Sequence, residues 1–230
     1  MTERILIVDD EAQITRVLRA AFSAQAYDVR IANDPQEGLR LFEDWSPDLI
    51  ITDLVMPGFS GIEICKAVRK KGLTPIIVLS VRDQDSSKVE ALDAGADDYV
   101  TKPFGVQELL ARVRAHLRRA PERNSGQAVE AGDFVIDPEA HTVTVSGRGV
   151  HLTPTEFDLL LHFARNSGKV LTHRTLLSAV WDGQSTYQPE YLRVFVAHLR
   201  KKLENGSEKQ YFQTEPWVGY RFLPEGRPER

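Results

Sequence analysis

Apolar positions in the first half of the chain follow two alternating rhythms. Runs at 5–8, 49–52, 75–80 and 98–101 are dominated by apolar residues, as expected of strands buried on both faces of a sheet. Between them, apolar residues recur at spacings of three and four. Ile14, Val17, Leu18, Ala21 and Phe22 form one such stripe, and Val106, Leu109, Leu110, Val113 and Leu117 another, predicting a first and a last helix. Asp34-Pro35-Gln36-Glu37 supplies a capping side chain, a proline suited to the first helical position and a carboxylate for exposed amides, so another helix starts there. A fifth strand fits 28–32. Strands alternating with helices predict βα units wound about a parallel sheet across residues 1–118.

From Arg119 to Ala131 the periodicity stops, and Ala120-Pro121-Glu122-Arg123-Asn124-Ser125-Gly126-Gln127 is polar and rich in breakers, which predicts a linker. Beyond it, over 132–225, the order of elements reverses. Short alternating runs at 134–136, 142–145 and 150–152 predict an antiparallel meander. Thr153-Pro154-Thr155-Glu156 is a capping box opening a helix that ends near Ser167-Gly168, and Leu171-Thr172 is read as the start of the next, which runs to Trp181. A loop from Asp182 to Gln188, a third helix from Pro189 to Leu203 and a terminal hairpin complete an α+β domain.

Composition agrees with two packed domains: 230 residues, 42% hydrophobic, are more than one average domain requires. The single cysteine, Cys65, has no partner for an internal disulfide. No apolar run approaches the roughly 18 to 20 residues of a membrane span, and the first residues lack a signal peptide's apolar stretch, so a cytoplasmic protein is expected. The net charge of −4 falls on residues 1–118, leaving the second half neutral. Any nucleic-acid surface must therefore be local.

The candidate chemistry lies at strand tips. Asp9 and Asp10 follow the first strand, Asp53 ends the second apolar run, and Lys102 follows the last. In an open parallel sheet, ligands bind beyond the carboxyl ends of the strands, so these charges can converge to hold Mg²⁺ and accept a phosphoryl group.

Val8-Asp9-Asp10-Glu11, Asp53 through Gly58, Val78-Leu79-Ser80, and Ala94 through Phe104 together resemble the receiver domain of bacterial two-component response regulators, which implies a flavodoxin-like fold. The resemblance implies that Asp53 is the phosphoacceptor, a carboxylate able to attack phosphorus. Mg²⁺ is then bound by Asp10, Asp53 and the Val55 carbonyl, with Asp9 acting through water. It further implies that Lys102, aimed by a cis Pro103, meets a phosphate oxygen, and that Ser80 and a half-buried Tyr99 move inward on modification. Where the family has a small residue after the switch hydroxyl, this chain has Val81, which predicts slow loss of the phosphoryl group. A dimer face is implied by the pairs Lys88 with Glu108, Asp98 with Arg112, and Asp97 with Arg119, each worth only about 0 to 1 kcal/mol if exposed.

Residues 133 to 223 resemble the winged-helix DNA-binding domain of the OmpR/PhoB subfamily, through Leu152 to Phe157, Gly168 to Thr172, Trp181, Leu199 to Leu203 and Gly219 to Phe222. In the third helix Leu192, Phe195, Val196, Leu199 and Leu203 form the buried stripe, leaving Arg193, Ala197, Arg200 and Lys201 opposite. Arg193 and Arg200 suit base edges in a double-stranded promoter, while Lys201, Lys202, Arg221 and His198 suit phosphates. The family usually has glycine where Trp217 stands. The loop 182–188 corresponds to the segment through which relatives touch RNA polymerase.

Stretches including Ala91 to Gly95 and Tyr191-Leu192-Arg193 most resemble the family's potassium-transport regulators, which implies a Kdp-type sensor histidine kinase as phosphodonor and a homodimer as the active form. Two other readings remain: a Mg²⁺-dependent phosphatase or other phosphoryl-transfer enzyme, and an output domain that binds protein. Against the first, the chain lacks an aspartate two positions after Asp9 and any glycine-rich nucleotide loop.

Overall fold

The computed structural model describes residues 2–82, 84–117, 127–181, 189–205 and 207–228, and divides the chain into two compact units, Met1–Arg118 and Arg119–Arg230. The first unit comprises β1 (Arg4–Val8), α1 (Ala12–Ser23), β2 (Asp28–Ala32), α2 (Pro35–Trp45), β3 (Leu49–Asp53), a two-residue ladder of β4 (Val55–Met56) and β5 (Phe59–Ser60), α3 (Gly61–Lys71), β6 (Ile76–Ser80), α4 (Asp85–Asp93), β7 (Asp98–Thr101) and α5 (Val106–Leu117). Five strands form a parallel sheet in the order β2-β1-β3-β6-β7. After β2 the winding reverses across β1, so the connections diverge beyond the ends of β1 and β3, where Asp9, Asp10 and Asp53 stand.

The apolar runs account for this arrangement. Ile5, Ile7, Leu49, Ile51, Ile77 and Leu79 are buried against Leu18 and Phe22 of α1 and Leu109, Leu110 and Val113 of α5. Asp34 caps α2 as expected, its carboxylate accepting from the Glu37 amide at 2.8 Å. Helix α3 opens on a second capping box, Ser60 with Glu63. Gly61 is dictated by a close approach, because a Cβ there would lie 2.1 Å from the carbonyl oxygen of Asp53.

The second unit begins with β8 (Val129–Ala131), β9 (Phe134–Asp137), β10 (Thr142–Val145) and β11 (Arg148–Val150), an antiparallel sheet in the order β11-β10-β9-β8. Then come α6 (Pro154–Arg165), β12 (Val170–Thr172), α7 (His173–Trp181), α8 (Pro189–Leu203), β13 (Lys209–Glu215) and β14 (Gly219–Pro228), with the last strands ordered β12-β14-β13. This is a winged helix with an N-terminal sheet. Its core joins Trp181 to Phe195 of α8, and Phe134 to Tyr211 and Phe222.

Two boundaries differ from expectation. Residues 129–131, assigned to the linker, form edge strand β8, with Val129 opposite Ile136. Leu171 and Thr172, read as a helix start, pair instead with Tyr220 and Gly219 of β14. Thr172 still serves the helix that follows, its Oγ1 accepting from the Thr175 amide at 3.1 Å.

Candidate functional site

The strand tips bring the predicted acids together. Carboxylate oxygens of Asp9, Asp10 and Asp53 lie within 4.8 Å of one another, with Asp9 and Asp53 buried and Asp10 exposed. Opposite ligands of an octahedral Mg²⁺ stand about 4.2 Å apart, so the all-oxygen set fits such an ion with sub-ångström adjustment. Val55 donates its amide to Asp53 Oδ1 at 3.4 Å, which orients the acceptor carboxylate.

Lys102 Nζ reaches Asp9 at 2.9 Å and Asp53 at 3.1 Å, and also Glu11 at 3.0 Å. Glu11 was not singled out from the sequence. Its signal was adjacency alone: it extends the acid pair by one residue, and its own amide donates to Asp9 Oδ1 at 2.8 Å. Burial pushes the Asp53 carboxyl above its ordinary range, partly offset by Lys102. For Lys102, burial acts to lower the pKa, but the hydrogen bonds it donates to Asp9 and Glu11 and the charges of Asp53 and Asp9 outweigh it and hold the ammonium protonated. The site is a carboxylate cluster held by one cation and open to solvent at Asp10.

The expected switch residues, Ser80 and Tyr99, are joined through Arg82. Its amide donates to Ser80 Oγ at 3.0 Å, and its carbonyl accepts from the Tyr99 hydroxyl at 2.6 Å. Tyr99, expected to be half-buried, is only 1% exposed, so its inward position exists in the unmodified chain. The Lys102–Pro103 peptide is cis. Val81 is 68% exposed and lines, with Glu11, Ile14, Val17, Lys102 and Phe104, an open groove of about 460 Å³ beside the acids.

On the expected dimer face, two of the three pairs have a different geometry. Asp98 and Arg112 pair within the chain at 3.1 Å, where Arg112 also holds Glu108 at 2.7 Å and His116 approaches Asp98 at 3.4 Å. Asp97 is completely buried, held by the Arg69 guanidinium and by the Ile76 amide at 2.9 Å, because a buried carboxylate just before β7 must find donors inside the fold. Its proposed partner Arg119 lies outside the described residues, as does the loop 182–188. Lys88 is partly buried on α4.

Helix α8 buries the stripe read from the sequence: Leu192, Phe195, Val196, Leu199 and Leu203. Arg193, Ala197 and Lys201 are exposed. The other expected DNA ligands are engaged within the domain. Arg200 donates to the Phe212 carbonyl at 3.0 Å and to Thr214 Oγ1 at 2.9 Å. Lys202 lies 2.6 Å from Glu156, the capping-box carboxylate, which His198 Nδ1 meets at 3.5 Å. Arg221 bonds Glu215 at 3.0 Å and the Gly168 carbonyl at 3.2 Å. Residues after a buried stripe tend to point back into their own domain when a buried acid or open carbonyls wait there, and periodicity alone does not reveal those acceptors.

The comparisons agree with both halves. Residues 5–114 match the response regulator receiver domain, and residues 147–222 match the C-terminal domain of transcriptional regulatory proteins. Similar relatives include the transcriptional regulatory protein KdpE of Mycobacterium tuberculosis, 43% identical across 95% of this chain and 98% of that protein, and the KDP operon regulator KdpE of Escherichia coli, with the same identity and coverage. The alkaline phosphatase synthesis regulator PhoP of Bacillus subtilis is 40% identical over 96% of this chain and 97% of its own. Among solved structures, a mutant of RitR matches with TM-score 0.77 and 27% identity over 96% of this chain and 99% of that one. DrrB of Thermotoga maritima, described as an OmpR/PhoB homologue, matches with TM-score 0.53 and 32% identity over 97% of this chain and 100% of its own. No described helix is long and apolar enough to cross a membrane. With a receiver whose acids converge at the switch point and a winged helix later in the sequence, the chain belongs to the two-component response regulators of the OmpR/PhoB type, with a DNA-binding output domain.

Proposed function

We propose that Asp53 accepts a phosphoryl group from a sensor histidine kinase and that this modification promotes homodimerisation and promoter binding. The observation that carries the reading is the bonding of Lys102 Nζ to both Asp9 and Asp53 within the carboxylate cluster. Asp53 supplies the attacking oxygen, and as its bond to phosphorus forms, the bond from phosphorus to the kinase's histidine nitrogen breaks and leaves that histidine free. Lys102, already charged, turns to an oxygen of the incoming group, and Ser80 Oγ offers a second donor at the end of β6. Asp9, Asp10, Asp53 and the Val55 carbonyl would hold Mg²⁺, which neutralises charge on the phosphoryl donor.

Phosphorylation adds roughly 1.5 to 2 negative charges beside Ser80, and Arg82 transmits the change to Tyr99. The α4 and α5 surface, with Lys88 and Glu108, is the dimer face, and the buried Asp98–Arg112 pair beneath it fixes Glu108 through Arg112. In the output domain, Arg193 and Lys201 are the residues of α8 most available to duplex DNA, with Arg193 on a base edge and Lys201 on phosphate. The loop 182–188 is the contact with RNA polymerase.

The regulated genes are those of a potassium-transport operon, served by a Kdp-type kinase. Support for this is the 43% identity to two KdpE proteins; the 40% identity to PhoP favours another OmpR/PhoB-type regulon only slightly less.

Incubation with Mg²⁺ and a small phosphodonor tests the central step. The wild-type chain should gain the mass of one phosphoryl group and shift towards a dimer, and Asp53→Ala should do neither. Equal labelling of the two proteins, or labelling with no change in association, would remove the corresponding step.

A further inference from the structure

The tip of the β13–β14 hairpin carries an unusual residue. Val218 donates its amide to the Glu215 carbonyl at 3.1 Å, closing a four-residue turn with Pro216 at its second position and Trp217, at φ 64°, at its third. Proline followed by a residue of positive φ is the signature of a type II turn, where glycine is strongly preferred. Tryptophan at that position bears the steric penalty of the left-handed region. It also leaves an indole 99% exposed, beside an exposed Pro216 and a Val218 that is 47% exposed. A bulky aromatic held in a strained conformation, with its ring in water, contributes nothing to the core, so its use lies outside this chain.

The hairpin's position identifies the partner. Arg200 of α8 grips β13 through the Phe212 carbonyl and Thr214 Oγ1, and its guanidinium lies 6.0 Å from the Tyr220 ring of β14. The tip is therefore tied to the helix that presents Arg193 and Lys201. Thr214 stands one strand residue, about 3.3 Å, before the Glu215–Val218 turn, so the exposed indole projects from the end of the same hairpin that Arg200 grips. The three tip residues carry no charge. They match sugar faces and base steps better than phosphates, and apolar side chains of this kind wedge between base pairs from the minor groove.

We propose that Trp217 is a DNA wedge: when α8 engages the major groove, the indole enters the adjacent minor groove of the duplex and bends it. Arg193 and Lys201 supply attraction, and Trp217 supplies shape selectivity for flexible pyrimidine–purine steps.

The test uses the full chain treated with Mg²⁺ and phosphodonor, and a duplex selected by the wild-type chain from a randomised pool. Trp45 and Trp181 are buried, so the indole open to a soluble quencher is that of Trp217. Adding the duplex should shield it and shift its emission to the blue. Trp217→Gly, which relieves the turn, should melt no lower than wild type, yet bind the duplex about tenfold more weakly and bend it less, with Trp217→Phe between them. Equal affinity and curvature for wild type and Trp217→Gly, or an indole still open to quencher in the complex, would overturn the wedge. So would shielding produced by RNA polymerase and not by DNA. If neither protein retains any duplex, the DNA-binding reading itself fails, a result distinct from retention that ignores residue 217.

Discussion

The hydroxyl of Tyr99 donates to the carbonyl of Arg82 at 2.6 Å, and the amide of the same Arg82 donates to Ser80 Oγ. One backbone residue thus joins the hydroxyl at the end of β6 to an aromatic ring on β7. Tyr99→Phe keeps the buried ring and removes only the hydrogen bond. It should lower stability by about 1 kcal/mol, leave Asp53 labelling intact and weaken dimerisation after labelling. Sedimentation of labelled wild type and variant measures the difference; identical dimer fractions would show that the link carries no signal.

Asp53 sits in the fold at a cost. Its carboxyl titrates above the ordinary range because of burial, so the folded chain binds that proton more tightly than the unfolded chain does. Ionisation of Asp53 therefore opposes folding at neutral pH, and the opposition fades as pH falls through its raised pKa. Asp53→Asn should raise the melting temperature near pH 7 by about 3 °C, with the gap closing in acid. Millimolar Mg²⁺ should reverse the order by stabilising wild type and not the variant. Melting curves at two pH values, with and without the metal, decide the matter; an Asn variant that melts lower at neutral pH without metal would contradict the sign.

Val81 projects beside the site where the family has a small residue, and its exposed side chain shares a groove with Lys102 and Glu11. On the proposed reading, Val81 narrows the approach of water to an acyl phosphate on Asp53. Val81→Ala should speed phosphate release several-fold without changing the rate of labelling. Release as slow as in wild type would place the barrier elsewhere.

Much of this was legible in advance, for reasons particular residues make plain. Ile5 to Val8 and Leu49 to Thr52 announced a sheet buried on both faces because only apolar side chains survive there, and the acids at their ends then had one place to go. The α8 stripe was equally clear. Partners across the fold were hidden. Nothing near Asp97 in the sequence points to Arg69, and nothing near Lys202 points to Glu156; both pairs form because a buried carboxylate takes whichever donor the packing brings. Strand β8 was hidden too, since three residues at a sheet edge have too few apolar positions to set a rhythm.

Glu156 links two functions in the output domain. As the acid of its capping box, the third residue of α6, it accepts from the Thr153 amide at 2.7 Å, and it also meets His198 and Lys202 on α8. Burial acts to raise its pKa, but the bonds to His198 and Lys202 and the Thr153 amide outweigh that and hold the carboxyl below its usual range. A depressed carboxyl contributes stability that is present above the unfolded pKa, near 4.5, and is lost as pH falls through the lower folded value. Glu156→Gln keeps much of the cap and removes the charge, so it should destabilise the domain by about 1 to 3 kcal/mol at neutral pH and by much less in acid. It should also loosen the C-terminal half of α8, where Lys201 is presented, and weaken duplex binding while leaving Asp53 labelling unchanged. Arg193→Ala makes the contrasting case: unchanged melting, weaker binding and a shallower salt dependence. Denaturation at two pH values, together with duplex titrations over a range of salt, separates the two; a Glu156→Gln variant as stable as wild type at neutral pH would mean that the pairs on α8 are incidental.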